Sequence, residues 1–144
     1  WVQRCLPIPS RLSGPHPWKK YRYWMLRTRQ EATLFSYHQR WYRNGRKILP
    51  QFFRVTPWSM LAAYLGDGYS LQVTKGVGLS TYGFMARELD RILLPQLWKL
   101  GFDCVRRPDN RIEFRIASMQ DFLNFLSDCP VRAYKQKWKI PLRW

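Results

Sequence analysis

Downstream of Thr56 the apolar residues change period four times, and the order they spell is helix, hairpin, helix, hairpin, helix. Met60, Leu61, Tyr64 and Leu65 have helical spacing behind Thr56, an N-cap residue, and Pro57, which has no amide hydrogen to lose in a first turn. Gly66 and Gly68 are expected to break this helix on both sides of Asp67. The period then falls to two. Tyr69, Leu71 and Val73 alternate with Ser70, Gln72 and Thr74, Lys75-Gly76 makes a tight turn, and Val77 and Leu79 alternate with Gly78 and Ser80. Phe84 to Leu100 reads as a helix with Leu89, Ile92, Leu93, Leu97 and Leu100 on one face, bent at Pro95 and ended by Gly101. A second hairpin runs from Phe102 to Arg107 and from Arg111 to Ile116 around Pro108-Asp109-Asn110. In its last strand Ile112, Phe114 and Ile116 point one way and Arg111, Glu113 and Arg115 the other. Ser118 and Asp121 resemble a capping box for a helix through Phe122, Phe125 and Leu126, stopped at Cys129-Pro130.

These elements predict an α+β fold, a four-stranded antiparallel sheet with helices on one face. Ser70, Gln72, Thr74, Ser80, Arg111, Glu113 and Arg115 are placed on the other face, as a solvated surface or as a surface laid in a nucleic-acid groove. Ahead of the core, Pro7, Pro9, Pro15 and Pro17 predict an extended arm rather than a packed element. Glu31 to Tyr42 follows as a short helix through Leu34, Phe35, His38 and Trp41, and Asn44-Gly45 turns the chain into Ile48-Leu49-Pro50. The divisions are thus an arm over 1–30, a leader over 31–55, a core over 56–130 and a basic tail over 131–144.

Charge adds a partner to this picture. The net charge of +16 is uneven. Residues 1–50 hold 11 basic residues against one acidic, residues 51–129 nine against eight, and residues 130–144 five against none. A near-neutral middle between two basic ends points to nucleic acid. In the arm, Trp18, Tyr21, Tyr23 and Trp24 lie among Lys19, Lys20, Arg22, Arg27 and Arg29, a mixture suited to phosphate contact with stacking. Further candidate contacts are Arg40, Arg43, Arg46, Lys47, Gln72, Thr74, Lys75, Arg111, Arg115, Arg132, Lys137 and Lys139. No apolar run reaches the ~20 residues of a bilayer span, so no membrane insertion is expected. Cys5, Cys104 and Cys129, an odd number without paired spacing, suggest a reducing compartment, and His16 and His38 are too scattered for a metal cluster. A chain that begins at Trp1 with a basic, acid-poor leader fits organellar import, mitochondrial rather than chloroplast.

One carboxylate stands out: Asp67, delivered between two glycines at the end of a capped helix whose Ala62 and Ala63 allow another helix to approach closely. That helix followed by ββαββα resembles the LAGLIDADG homing endonucleases, in the single-motif branch with intron-encoded endonucleases and maturase-like relatives. Tyr37 to Pro50 is similar to the family's leader, Met60 to Gly68 to its motif, Gly78 to Phe84 to its second-strand signature, and Ala133-Tyr134-Lys135 to its closing Tyr-Lys. The resemblance implies two motif helices packed at a pseudo-twofold axis, each giving one acid to the scissile phosphates with Mg2+ held between them. With one motif copy, it implies a homodimer with Asp67 as catalytic residue and metal ligand in each chain. It places the supporting basic residue at Lys135, with Lys137 as the alternative.

Several positions depart from the family pattern. Leu65 and Gly66 stand where a second acid is often found, Tyr82 where a Gln is common, the hairpins are short, and Glu113 lies on the presumed reading face. Two functions are therefore carried forward. The favoured one is a repurposed protein that binds structured RNA without cleavage or cofactor, as an intron-splicing factor or within an organellar ribosome or similar ribonucleoprotein. The alternative is a homodimeric, Mg2+-dependent, site-specific DNA endonuclease.

Overall fold

The computed structural model describes residues 10–18, 21–28, 31–71 and 76–139. The chain divides into two compact units, Trp1–Arg40 and Trp41–Trp144.

In the first unit, β1 (Ser10–Trp18) pairs antiparallel with β2 (Tyr21–Thr28), and α1 (Ala32–Trp41) follows. The segment expected as an extended arm is thus a hairpin over its described residues. Prolines did not prevent it because both strands of a two-stranded sheet are edges, where a missing amide hydrogen is tolerated. The register shifts between Ser13 and His16, around Gly14-Pro15, and Pro17 sits opposite Arg22.

The second unit carries β3 (Tyr42–Arg43), β4 (Arg46–Lys47), α2 (Pro57–Asp67), β5 (Gly68–Leu71) and β6 (Gly76–Leu79). One helical run then passes through α3 (Ala86–Glu88), a π-helical stretch (Leu89–Leu93) and α4 (Leu94–Lys99). Then come β7 (Cys104–Arg106), β8 (Ile112–Phe114), α5 (Ile116–Phe125) and a 3₁₀ helix (Arg132–Trp138). The sheet is antiparallel in the order β5-β6-β8-β7. Asn44 and Gly45 both adopt positive φ, 51° and 72°, which closes the β3–β4 hairpin as Asn-Gly requires.

The core joins one sheet face to the helices. Val77, Leu79, Cys104, Ile112 and Phe114 are buried beneath Met60, Tyr64, Leu89, Leu93, Leu97, Phe122 and Leu126. Phe114 stacks on Phe122 at 3.8 Å between ring centres, and Tyr64 meets Phe122 edge-on. The π-helical stretch precedes Pro95, which has no amide hydrogen to return to the turn before it. Gly101 ends the run at φ 85°, as expected, but Leu100 is 45% exposed rather than on the buried face.

Local expectations fail where a tertiary partner overrides the pattern. Gly66 lies inside α2 with open space around it, so Gly68 alone ends the helix. A Cβ at Gly68 would overlap the Tyr64 ring. Ile116 is half exposed and opens α5 instead of ending a strand. Ser118 is buried in α5 and caps nothing. Its hydroxyl accepts the Asp103 N–H at 2.7 Å. That helix closes at Leu126, with Ser127 at φ 65°, before Cys129-Pro130. The tail is not a loose appendage through Lys139: Val131 and Trp138 pack on the core, and Trp138 meets Tyr64 edge-on at 5.1 Å. Among the described residues no helix is long and apolar enough to cross a membrane.

Candidate nucleic-acid interface and carboxylate site

Thr56 caps α2 as its sequence predicts: its hydroxyl accepts the Ser59 N–H at 3.1 Å, and the Ser59 hydroxyl accepts the Thr56 N–H at 2.9 Å. The helix presents Met60, Leu61, Tyr64 and Leu65 to the core and ends at Asp67. Its backbone carbonyl accepts from Ser80 N–H at 2.8 Å, which ties the helix end to the exit of β6. The carboxylate points away from the core, with the side chain 58% exposed.

Two lysines flank that helix end. Lys47, at the close of β4, brings Nζ to 3.9 Å from Asp67 Oδ2 while it lies over the Phe84 ring at 4.6 Å. Lys137, from the 3₁₀ helix, donates to the Leu65 carbonyl at 2.9 Å and to the Tyr64 carbonyl at 3.3 Å. These are helix-terminal carbonyls, where a cation also meets the negative end of the helix dipole. In return the Tyr64 hydroxyl donates to the Lys137 carbonyl at 2.7 Å. Burial holds the Lys137 ammonium below the usual lysine range, and the Asp67 charge opposes that shift. Burial, with Cys129 adding to it, pushes the Tyr64 phenol upward.

Lys135 is exposed on the 3₁₀ helix, and it is Lys137, the alternative, that reaches the motif helix. Lys47 stood only among the candidate phosphate contacts, yet among the described residues it is the one paired with the Asp67 carboxylate. Its signal was its place in the leader, not any local pattern.

The sheet's outer face is inverted over β5 relative to the expected alternation. Ser70 shares a row with Val77, Phe114 and Cys104, on the core side, and its hydroxyl donates to the Lys139 carbonyl at 2.6 Å. Tyr69 takes the outer row with Gly78, Glu113 and Val105. Its ring covers Gly78, where a Cβ would meet the phenol oxygen at 2.7 Å, and its hydroxyl donates to Glu113 at 3.3 Å. Burial and then Glu113 push the Tyr69 phenol up to about 12. Glu113 also receives Arg107 Nε at 2.5 Å and lies 3.9 Å from Arg111, which pairs in turn with Asp109 at 2.9 Å. One carboxylate therefore ties a tyrosine to two arginines, and Arg107 was missed in the sequence.

The remaining candidates are spread out. Arg115 is exposed at the N-cap of α5, Arg132 and Lys139 are exposed at either end of the 3₁₀ helix, and Arg43 and Arg46 are exposed on β3 and β4. Arg40, on α1, lies 5.9 Å over the Tyr37 ring. Arg22 and Arg27 are exposed on β2. The Trp18, Tyr21 and Tyr23 side chains, and Lys19, Lys20, Arg29, Gln72, Thr74 and Lys75 entirely, lie outside the described residues. Of the two alanines, Ala62 is exposed, whereas Ala63 packs partly on its own core. The open face of α2 is Trp58, Ala62 and Gly66.

Among the described residues no group of three or more His, Cys, Asp or Glu side chains could hold a metal ion. Asp67 offers one open carboxylate, which fits half of a shared divalent-cation site. It does not fit an ion held by these residues alone.

The sequence profile of the LAGLIDADG DNA endonuclease family matches residues 4–122. No curated protein sequence matches the chain. Among solved structures, the chain is similar in fold to the homing endonuclease I-WcaI bound to its DNA recognition sequence, with a TM-score of 0.69 and 18% sequence identity. The match takes in 93% of this chain and 65% of that one, so this chain spans less than two thirds of that relative's length.

Proposed function

The chain belongs to the LAGLIDADG DNA endonuclease family, and from that premise we propose that it binds duplex DNA and contributes Asp67 to Mg2+-dependent phosphodiester cleavage. The observation that carries this reading is the helix end itself. An intact, doubly capped motif helix holds one carboxylate open to solvent, with Lys47 and Lys137 on either side. Lys137 holds the last turn in place, and Lys47 limits where the carboxylate sits. Both add positive potential where a phosphate would arrive. When bound between Asp67 and a second motif's acid, a divalent cation supplies an acidified water and charge neutralisation at the phosphate.

The RNA-binding reading rested on the basic, Pro- and aromatic-containing ends of the chain and on its short hairpins. At the first of those ends residues 10–18 pair with residues 21–28 as antiparallel strands, and that segment lies inside the family match, which weakens that support. What still favours RNA is the sheet's outer face, whose arginines are largely neutralised by Glu113 and Asp109.

The test reads binding and cutting separately. Randomised duplex DNA and structured RNA are offered in competition, and new DNA ends are then scored in Mg2+, for wild type and Asp67→Asn. Preference for duplex DNA, with ends that depend on Asp67, is the expected result. Preference for structured RNA, unchanged by Asp67→Asn and without DNA ends, would overturn the proposal.

A further inference from the structure

Three arginines on and beside β7 and β8 each meet a carboxylate: Arg106 lies 2.8 Å from Asp90, Arg107 2.5 Å from Glu113 and Arg111 2.9 Å from Asp109. Arg43 and Arg46, on β3 and β4, do not. Both are exposed, and among the described residues neither has an acidic partner.

The pairing register sharpens that contrast. Arg43 stands directly opposite Arg46, and Tyr42 opposite Lys47. Cross-strand partners share a face, with Cβ atoms about 5 Å apart, so the two arginines leave one face of the hairpin together. Like charges in that position destabilise a strand pair. Here they flank the two-residue Asn44-Gly45 turn, in a ladder with only two pairs to offset them. Folding alone gives no reason for this pair. An anion seated against both guanidiniums does, because arginine forks match phosphate oxygens two at a time.

The hairpin is also fixed relative to the carboxylate. Lys47 packs on the Phe84 ring at 4.6 Å and reaches Asp67 at 3.9 Å, so its face is turned to the body and the arginine face outward. Trp41, just before β3, meets Phe53 and Phe84 at 5.8 and 6.4 Å. Ile48, just after β4, donates its N–H to the Trp41 carbonyl at 2.8 Å. Arg46 is therefore one strand step, about 3.3 Å, from the residue that touches Asp67. Among the described residues the tip is unobstructed: Asn44 is exposed, and a Cβ at Gly45 would meet nothing within 4 Å.

We infer that the β3–β4 hairpin is a phosphate clamp, in which Arg43 and Arg46 together hold the sugar-phosphate backbone of duplex DNA beside the phosphate that meets Asp67. The inference rests on the DNA reading above and adds to it a contact outside the sheet. The sheet's outer face is poorly suited to this task, since its arginines are held by its own carboxylates.

Arg43→Gln with Arg46→Gln keeps two hydrogen-bonding side chains and removes both charges. Arg87→Gln with Arg91→Gln, two exposed positions on the helical run, removes the same charge elsewhere. Binding of random-sequence duplex DNA is measured against salt for wild type and both double variants, with thermal unfolding alongside. The hairpin variant is expected to show a slope of log K against log salt shallower by about 0.9 for each of the two lost phosphate contacts. Its melting temperature is expected to hold or rise, because the like-charge pair is gone. The helical variant is expected to keep the wild-type slope. A wild-type slope in the hairpin variant, an equal loss in both variants, or weaker binding with a lower melting temperature would each overturn the clamp and leave the DNA reading standing. Wild type that leaves duplex DNA unbound would overturn that reading and the clamp together.

Discussion

Lys137 Nζ lies 2.9 Å from the Leu65 carbonyl oxygen, so a residue 72 positions downstream closes the last turn of the motif helix. A half-buried ammonium that makes two carbonyl hydrogen bonds at a helix C-terminus contributes about 1–2 kcal/mol. Lys137→Met keeps the stem and removes the bonds. Urea unfolding is expected to show a loss of about that size, and the Gly66, Asp67 and Gly68 amides at the end of α2 to exchange faster, whereas Lys135→Met leaves both unchanged.

The two glycines beside Asp67 are expected to respond in opposite directions. Gly68→Ala drives a methyl into the Tyr64 ring and destabilises by about 3 kcal/mol. Gly66→Ala places a methyl in open space within a helix and stabilises by about 0.5–1 kcal/mol. Thermal unfolding of the two variants beside wild type checks both signs.

Much of this site was legible before the structure. Thr56-Pro57 and the spacing of Met60, Leu61, Tyr64 and Leu65 define the motif helix because cap chemistry and periodicity are local. Ile112 and Phe114 likewise announce the inner face of their strand. The Tyr69 and Ser70 faces were misread because alternation counts a tyrosine as apolar. In the fold its hydroxyl finds Glu113, while the Ser70 hydroxyl is satisfied on the core side by Lys139. Prolines hid the first hairpin, since their cost depends on which edge a strand presents. Nothing local could show that Lys47 and Lys137 converge on one helix end.

Stability is expected to fall with rising pH above about 9. Burial pushes the Cys104 thiol up from 9.0 to about 12 and the Tyr69 phenol from 10.0 to about 12, and the Tyr64 phenol also rises. Each contributes stability that is complete below its unfolded value and is lost as pH climbs through the folded one. Lys137, shifted down, acts in the opposite sense but is outnumbered. Cys104→Ala lowers stability at neutral pH through a small cavity. Its alkaline decline is nevertheless shallower, by up to about 1.4 kcal/mol per pH unit between 9 and about 12. Urea midpoints at pH 8, 9 and 10 check it.

Glu113 sets the charge of the outer sheet face. Glu113→Gln keeps an acceptor for the Tyr69 hydroxyl but releases Arg107 toward phosphate, while Arg111 keeps its Asp109 partner. The variant is expected to bind duplex DNA more tightly at low salt, with the slope of log K against log salt steeper by about 0.9 per added phosphate contact. Filter binding between 50 and 200 mM salt, roughly the range over which such slopes are read, measures it.

The most direct test of the account is Mg2+-dependent cutting of a randomised duplex-DNA library by this protein, wild type beside Asp67→Asn. The account predicts discrete double-strand ends with wild type and none with Asp67→Asn, at unchanged fold and DNA affinity. Cutting that persists in Asp67→Asn, or a wild type that prefers structured RNA and leaves duplex DNA intact, would contradict it.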